Sequence, residues 1–203
     1  MTITKLEDIN FENLTFSSPV KGKGYYYITV TQDKSNPSSI FMQTPKVALL
    51  SNIINNNFVE VHLNNEDYKQ EIQRVDDELF SILKDKKEDW FVGKGLTDQF
   101  LDTGYLPTLK RNGDWKLNVS DHINIFDDSK NNIDIDELQI GDSMRCIVQL
   151  MGLWFTNTRW GVSWKIIQIK KSLKKVTKNE YMFPDDVDVD SHDVIEPPPG
   201  MDE

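Results

Sequence analysis

The stretch MRCIVQLMGLWFTNTRWGVSWKIIQIKK, Met144–Lys171, decides the fold of this 203-residue chain. Apolar and polar residues alternate over Met144–Thr156 and again over Val162–Lys171, and an alternation with period two is typical of strands. The intervening Asn157–Gly161 is short and ends in glycine, which favours a tight turn. The sequence therefore predicts a long, largely apolar antiparallel hairpin near the C-terminal end of the chain.

Further strands are predicted upstream of this hairpin. They are rich in β-branched and aromatic residues and are bounded by Gly, Pro, Asn and Asp. We expect the second and the third of them to pair with each other. The predicted strands are Leu14–Phe16, Lys21–Thr31, Ile40–Thr44, Phe58–Leu63, Trp115–Ser120 and His122–Asp127. The last of these is either a separate strand or the continuation of Trp115–Ser120.

One amphipathic helix is predicted over Asn64–Lys87, where apolar residues recur at spacings of three and four. Residues 93–113 contain several glycines and a proline and are expected to be mostly loop. Many short strands with one helix favour a mainly β (α+β) fold. We predict an OB-like, partly open β-barrel with the amphipathic helix closing one end.

Charge is strongly segregated along the chain, although the formal net charge is −10. Residues 143–179 contain eight Lys and Arg and no acid, whereas residues 180–203 contain nine acids and no Lys or Arg. The last segment also has three consecutive prolines and no hydrophobic periodicity, which is typical of disorder. The sequence therefore predicts a domain at residues 1–183 and a disordered acidic C-terminal tail at residues 184–203.

The basic segment is also rich in aromatic rings. Binding of single-stranded nucleic acid without strict sequence preference requires rings on which bases stack and cations along the phosphates. Four rings fall within eleven residues of the hairpin. The predicted nucleic-acid-binding residues are Trp154, Phe155, Arg159, Trp160, Trp164, Lys165, Lys170, Lys171, Lys174 and Lys175, with Lys21, Lys23, Tyr25 and Tyr27 from another strand.

Two alternatives stay open for these residues. The tryptophans could belong to the core while the lysines keep an edge strand soluble. In the tyrosine run, alternation already implies that Tyr26 faces away from its two neighbours. The acidic tail is expected to compete with nucleic acid for the basic surface at high effective concentration and to dock replication proteins. The alternative is that the acidic tail only aids solubility.

The hairpin resembles a known family. The run GLWFTNTRWGVSWKIIQIK, Gly152–Lys170, is similar to the C-terminal barrel hairpin of OB-fold single-stranded-DNA-binding proteins of nucleocytoplasmic large DNA viruses, asfarvirus-like in type. The layout of barrel and acidic tail is also similar to that of T7-type phage single-strand binders, although no aromatic residue ends this chain. The residues that carry the viral match are Leu153, Trp154, Phe155, Gly161, Trp164 and Lys165, with a weaker likeness in Ile40–Lys46.

This resemblance implies a single-stranded DNA-binding protein that serves viral DNA replication or recombination, in the cytoplasm or nucleus of an infected host cell. Two other functions stay open: a β-rich protein–protein scaffold or virion component, and an RNA-binding or transcription accessory protein. Stacking on bases does not distinguish DNA from RNA. The sequence predicts no oligomeric state.

No catalytic pattern is found in the sequence. The three histidines are scattered, and neither an HExxH motif nor a CxxC pair is present. KGKG at Lys21–Gly24 lacks the spacing of a P-loop. We therefore expect no enzymatic activity, no metal and no cofactor. The single cysteine, Cys146, suits a reducing compartment, and no apolar run reaches the ~18 residues of a membrane span.

Overall fold

The structure is a computed structural model that describes residues 2–53, 57–93 and 96–172. It contains ten strands and two helices in these ranges, with short 3-10 turns at Leu6–Asp8, Phe11–Asn13 and Ile135–Glu137. The predicted tail at 184–203 lies outside the described residues, as do Lys174 and Lys175, which are predicted to bind nucleic acid. The strands are β1 Leu14–Phe16, β2 Val20–Lys21, β3 Tyr26–Gln32, β4 Ile40–Gln43, β5 Val47–Leu49, β6 Phe58–Leu63, β7 Tyr105–Leu106, β8 Asp114–Phe126, β9 Ser143–Phe155 and β10 Trp160–Lys171; the helices are α1 Glu66–Trp90 and α2 Asp98–Gly104.

Five of the strands form a ring in the order β5, β6, β8, β10 and β9, which returns to β5. Neighbours in this ring are antiparallel, except that β8 and β10 run parallel. β5 and β9 are joined over only two residue pairs, so the barrel is only partly closed. A five-stranded, partly open barrel of this kind is of the OB type. The predicted fold class is confirmed.

The β4–β5 edge of the barrel is one strand interrupted at Pro45, and both halves pair with β9. Proline has no N–H to donate to a ladder. Thr44 compensates: its N–H donates to the Cys146 carbonyl at 2.8 Å, and its Oγ1 accepts from the Cys146 N–H at 2.9 Å. The side chain of Thr44 thus keeps the interrupted strand attached to β9.

The predicted pairing of Lys21–Thr31 with Ile40–Thr44 was wrong. Both β3 and β4 pair with β9, at successive positions along the same edge, and only an isolated bridge joins Gln32 to Ser38. The segment Lys21–Thr31 is also divided, because a turn separates β2 from β3. Of the two possibilities for His122–Asp127, the structure shows the continuation of Trp115–Ser120 in one strand, β8.

Helix α1 begins later and ends later than the spacing of its apolar residues indicates. Asn65, not Asn64, caps it, because its side chain accepts the Tyr68 N–H at 2.7 Å. One face of the helix packs into the same core as the barrel strands. That face consists of Ile72, Val75, Leu79 and Leu83, all fully buried.

A buried carboxylate, that of Asp76, ties α1 to the chain beyond β7. It accepts hydrogen bonds from the Tyr105 hydroxyl at 2.5 Å and from the Thr108 N–H and Oγ1 at 2.9 and 2.6 Å. Burial raises the pKa of Asp76, and the three hydrogen bonds oppose that rise. Thr108 Oγ1 also accepts from the Trp164 indole at 3.2 Å, so the network reaches β10.

Candidate nucleic-acid interface

Three of the predicted stacking rings lie in the core. Phe155, Trp160 and Trp164 are 3%, 0% and 1% exposed. Trp160 stacks on Phe80 of α1 with centroids 5.2 Å apart, and Trp164 meets Trp115 edge to face at 5.4 Å. The prediction that these three rings are offered to solvent was wrong, because they occupy the inward positions of β9 and β10. They are core residues, as the alternative held.

Two irregularities in the hairpin explain which residues face inward. The pairing of β9 with β10 shifts beside Met151 and again beside Ile167. At the first shift Gly152 adopts φ +135°, and Trp154 comes to lie on the side opposite to Leu150. At the second shift Lys170 moves to the outward side. A strict alternation with period two therefore assigns the wrong side to one half of each strand.

The outward residues of the two strands form a continuous surface, which we call the hairpin face. No Asp or Glu occurs anywhere between Ser143 and Lys171. The surface is therefore uncharged or basic along the whole length of both strands. The hairpin face consists of Arg145, Ile147, Gln149, Trp154, Ser163, Lys165 and Lys170, which are all exposed or half-buried.

Trp154 lies in a row of residues that crosses five strands. Cα pairing aligns Val20 with Tyr27, Tyr27 with Trp154, Trp154 with Gly161, and Gly161 with Leu106. A Cβ on Gly161 would lie 3.2 Å from the indole, so the ring of Trp154 lies across the glycine. The row therefore presents aromatic and aliphatic groups on the outer side of the sheet.

Two tyrosines continue this row. Tyr25 and Tyr27 are 44% and 39% exposed, and their ring centroids lie 6.2 Å apart. The ring of Tyr25 rests on Gly22, where a Cβ would come within 2.6 Å of it. Tyr26 faces the other way and contacts Phe91 edge to face, as alternation implies. We call Tyr25, Tyr27 and Trp154 the aromatic strip.

The predicted cations divide into three groups. Lys21 is exposed on β2, Lys23 in the turn before β3 and Arg159 in the turn of the hairpin. Lys165 is half-buried on the hairpin face. Lys170 pairs with Asp128 at 3.2 Å and remains 43% exposed. The structure brings Lys165 and Lys170 to the outer side of the sheet, and Lys23 and Arg159 to tight turns. Lys21 is the Cα partner of Tyr26 and therefore lies on the side opposite to Tyr27.

Lys171 is a structural residue. It faces inward, where its ammonium contacts the buried carboxylate of Asp142 at 2.8 Å and donates to the Glu137 carbonyl. Its charge is neutralised by a partner that is 1% exposed. Lys171 lies on the side of β10 opposite to Lys170, as alternation along a strand requires, so it is not part of the hairpin face. Its contact with nucleic acid stays a prediction.

One exposed aromatic residue beside the hairpin face, Phe58, was not among the predicted residues. Phe58 is 37% exposed, and the Lys116 ammonium lies 3.5 Å from the centroid of its ring. Cα pairing aligns Phe58 with Asn118 of β8, and Asn118 with Lys165. The signal was present, because Phe58 alternates with the inward residues Val59 and Val61 of β6.

The described residues contain no cluster of three or more His, Cys, Asp and Glu that could hold a metal ion. Within the same ranges, no helix is long and apolar enough to cross a bilayer. Cys146 is packed in the core, and burial raises the pKa of its thiol to about 12.

Several solved structures have a similar fold. The single-stranded DNA-binding protein gp2.5 of bacteriophage T7 is 12% identical, with a TM-score of 0.49 over 66% of this chain and 87% of that one. A C-terminal truncation of the single-stranded DNA-binding protein of bacteriophage Enc34 is 8% identical, with a TM-score of 0.46 over 80% and 96%. The Enc34 protein in complex with ssDNA is 9% identical, with a TM-score of 0.42 over 76% and 93%.

No curated protein matches the sequence. The model of the family DUF5871, described as a family of unknown function, matches residues 47–186, which include the five barrel strands, β7 and both helices. Because that match spans more than half of the chain, the protein belongs to the DUF5871 family.

Proposed function

We propose that the protein binds single-stranded DNA on the hairpin face and the aromatic strip, with little sequence preference. The observation that carries this proposal is the placing of Trp154. Its indole packs against Gly161, in register with the exposed ring of Tyr27, on a pair of strands without a single carboxylate. A flat ring on an open basic sheet is the arrangement on which bases stack.

Stacking and phosphate contacts supply the binding free energy in this proposal. A base stacked on an aromatic ring contributes about 1–3 kcal/mol. Lys23, in the turn before β3, and Lys165, on the hairpin face, supply cations for the phosphates between stacked bases. In this proposal the bound DNA runs from the aromatic strip over Lys165 and Asn118 toward Phe58. These three residues are Cα partners on neighbouring β-strands and lie on the outer side of the sheet.

The biological setting belongs to the same proposal. The likeness of Gly152–Lys170 to viral single-strand binders supports a role in protecting strands during viral DNA replication or recombination. The segregation of nine acids into residues 180–203 supports a tail that competes with DNA for the basic surface and that docks replication proteins. A polyanion attached beyond β10 acts at high effective concentration, so it suppresses weak binding more than tight binding.

A protein partner is the second candidate ligand of this surface. Val20 and Leu106, at the two ends of the row that contains Trp154, are 43% and 40% exposed. Exposed aliphatic groups beside aromatic ones suit a protein interface as well as a nucleic-acid one. RNA is the third candidate, because stacking is indifferent to the 2′-hydroxyl.

A titration with oligo-dT at low salt tests the proposal, with tryptophan fluorescence and the anisotropy of a labelled oligonucleotide as readouts. Trp115, Trp160 and Trp164 are buried, and the half-buried Trp90 packs on Phe16 at the end of α1, so quenching should come from Trp154. The variant Trp154→Phe should lose most of the quenching and keep most of the affinity. An unchanged fluorescence together with an unchanged anisotropy would refute single-strand binding and leave the protein interface.

The role of the tail is tested in the same assay. Deletion of residues 184–203 should tighten binding of oligo-dT at low salt, and the difference should vanish at high salt, where the attraction between tail and domain is screened. A deletion that leaves the affinity unaltered at every salt concentration would show that the tail only aids solubility. Replacing oligo-dT by oligo-U distinguishes DNA from RNA.

A further inference from the structure

A cavity of about 440 Å³ opens on the hairpin face, at the end away from the aromatic strip. Arg145 in this cavity lies nine residues from Trp154 along β9, which corresponds to about 30 Å. The cavity is therefore separate from the rings on which bases are proposed to stack. Its walls include Gln43, Phe126, Lys130, Arg145, Gln168 and Lys170.

Two cations face each other across the strands at this cavity. Arg145 and Lys170 are Cα partners in the β9–β10 pairing, and Lys170 is also the partner of Phe126 on β8. Like charges that lie directly opposite each other destabilise a sheet. Lys170 has the Asp128 carboxylate at 3.2 Å, but no described carboxylate forms an ion pair with Arg145. An anion between the two cations would relieve this repulsion.

A third cation is held at the cavity by a strained turn. Lys130 has φ +69°, one of two non-glycine residues with a positive φ in the described ranges. The turn is fixed by Asp127, whose carboxylate accepts the Asn131 N–H and side-chain amide at 2.8 and 2.9 Å. These bonds hold the pKa of Asp127 below its usual range. Strain of this kind persists at ligand clamps, where the surrounding structure maintains it.

The residues that line the cavity indicate the class of its ligand. Three cations suit a phosphate, the ring of Phe126 suits a base, and the amides of Gln43 and Gln168 suit the polar edge of a base. A volume of about 440 Å³ lies within the range of small-molecule sites. We propose that this cavity is a nucleotide site: a phosphate bridges Arg145, Lys170 and Lys130, and the base lies against Phe126.

Two sources supply this chemistry, namely a free nucleotide and the phosphorylated end of a bound strand. In either case Asp128 must release Lys170 to the incoming phosphate. Both partners of that ion pair are partly exposed, at 43% and 38%, so the rearrangement is inexpensive. Because the cavity is separate from the aromatic strip, the nucleotide site and the proposed strand-binding surface can be tested independently.

Calorimetric titration of the full chain with dTMP tests the site, with thymidine and inorganic phosphate as comparison ligands. We expect dTMP to bind at least tenfold more tightly than thymidine and more tightly than phosphate. Arg145→Gln should weaken dTMP at least fivefold, and Asp128→Asn should strengthen it. Lys86→Gln, an exposed change on α1, is the matched control and should have no effect.

Absence of dTMP binding, or equal binding by Arg145→Gln and the unmodified chain, would overturn the proposal. Phosphate that binds as tightly as dTMP would overturn the part assigned to Phe126. The affinities for oligo-dT with and without a 5′-phosphate then identify the source. If the 5′-phosphate increases the affinity and Arg145→Gln abolishes that increase, the ligand is the end of a strand. If dTMP binds but the 5′-phosphate does not increase the affinity for oligo-dT, the ligand is the free nucleotide. Trp154→Ala should weaken oligo-dT and leave dTMP binding unchanged, which separates this site from the proposed strand-binding surface.

Discussion

Trp154 owes its position to the glycine that faces it on β10. Any side chain at Gly161 would meet the indole at 3.2 Å and the Leu106 carbonyl at 2.8 Å. The hydrogen of glycine leaves room for the ring to lie along the sheet. Its chain neighbours Leu153 and Phe155 are buried, so Trp154 is the aromatic residue by which β9 reaches the outer surface.

Replacement of Trp154 by Ala should weaken oligo-dT binding by about 1–3 kcal/mol, or about 5- to 150-fold, because one stacked base is lost. Fluorescence anisotropy with a labelled oligonucleotide measures the change. Trp90→Ala is the matched control, since Trp90 is also a half-buried tryptophan but packs on Phe16 at the end of α1. Equal losses in the two variants would contradict a stacking role for Trp154.

Asp76 makes stability depend on pH. Burial raises its pKa above the usual 3.8, so the folded protein holds this proton more tightly than the unfolded chain does. The protonated group therefore favours folding at pH values below 3.8, and this contribution is lost as the pH rises through the raised pKa. The free energy of unfolding of Asp76→Asn, relative to the unmodified chain, should increase with pH across that window.

Chemical denaturation at a series of pH values measures this difference. Ser81→Ala, an exposed change on α1 that alters no charge, serves as the control and should retain the pH profile of the unmodified chain. A pH profile of Asp76→Asn that runs parallel to that of the unmodified chain would show that the carboxyl of Asp76 titrates alike in the folded and unfolded states.

The β9–β10 hairpin is the element that joins core and surface, and Gly152 determines its shape. Its φ of +135° lies in the region that favours glycine, and a Cβ there would lie 1.9 Å from the Ile28 carbonyl oxygen. The close approach lets β3 pair with β9 beyond the point where β4 ends. The outward position of Trp154 depends on this bulge.

Gly152→Ala should therefore destabilise the protein far more than the same change at a matched glycine. Gly141 has φ +88°, and an added methyl group there would meet no atom within 4 Å, so Gly141→Ala should cost only the backbone strain, about 1–2 kcal/mol. Gly152→Ala adds a steric clash with backbone and should cost more, or prevent folding. Thermal unfolding compares the two variants, and equal costs would contradict the importance of the close approach.

Sequence reasoning located these elements but not their orientation. Alternation identified β9 and β10, and spacings of three and four identified α1, because each pattern follows directly from backbone geometry. The inward and outward sides could not be assigned, because both sides of the hairpin carry apolar residues and the two bulges shift the alternation. Gly152 within a strand was the available signal for the first bulge. Phe58 was not predicted, because the predicted rings lie in segments rich in Lys and Arg and Phe58 does not.

At the scale of the whole molecule, basic and acidic residues are segregated into separate segments of the chain. The hairpin face has no acid, although the chain has a net charge of −10. Binding of a polyanion should therefore depend on local cations and weaken with salt. For single strands, the logarithm of the binding constant falls with the logarithm of salt concentration with a slope of about −0.7 for each phosphate neutralised.

Lys165→Gln should reduce the magnitude of this slope by about 0.7, because one phosphate contact is removed. Affinities for oligo-dT measured over a range of salt concentrations give the slope. Lys84→Gln is the control, since Lys84 lies on α1 and pairs with Asp102 at 2.9 Å. A slope that Lys165→Gln leaves unchanged would place the strand elsewhere on the molecule.

The most direct measurement is photochemical cross-linking of oligo-dT to the full chain, with the linked residues identified by mass spectrometry. The proposal predicts cross-links at Tyr25, Tyr27 and Trp154, and at Phe58 if the strand crosses the barrel toward β6. Cross-links confined to α1, or to the turns away from the hairpin face, would contradict it.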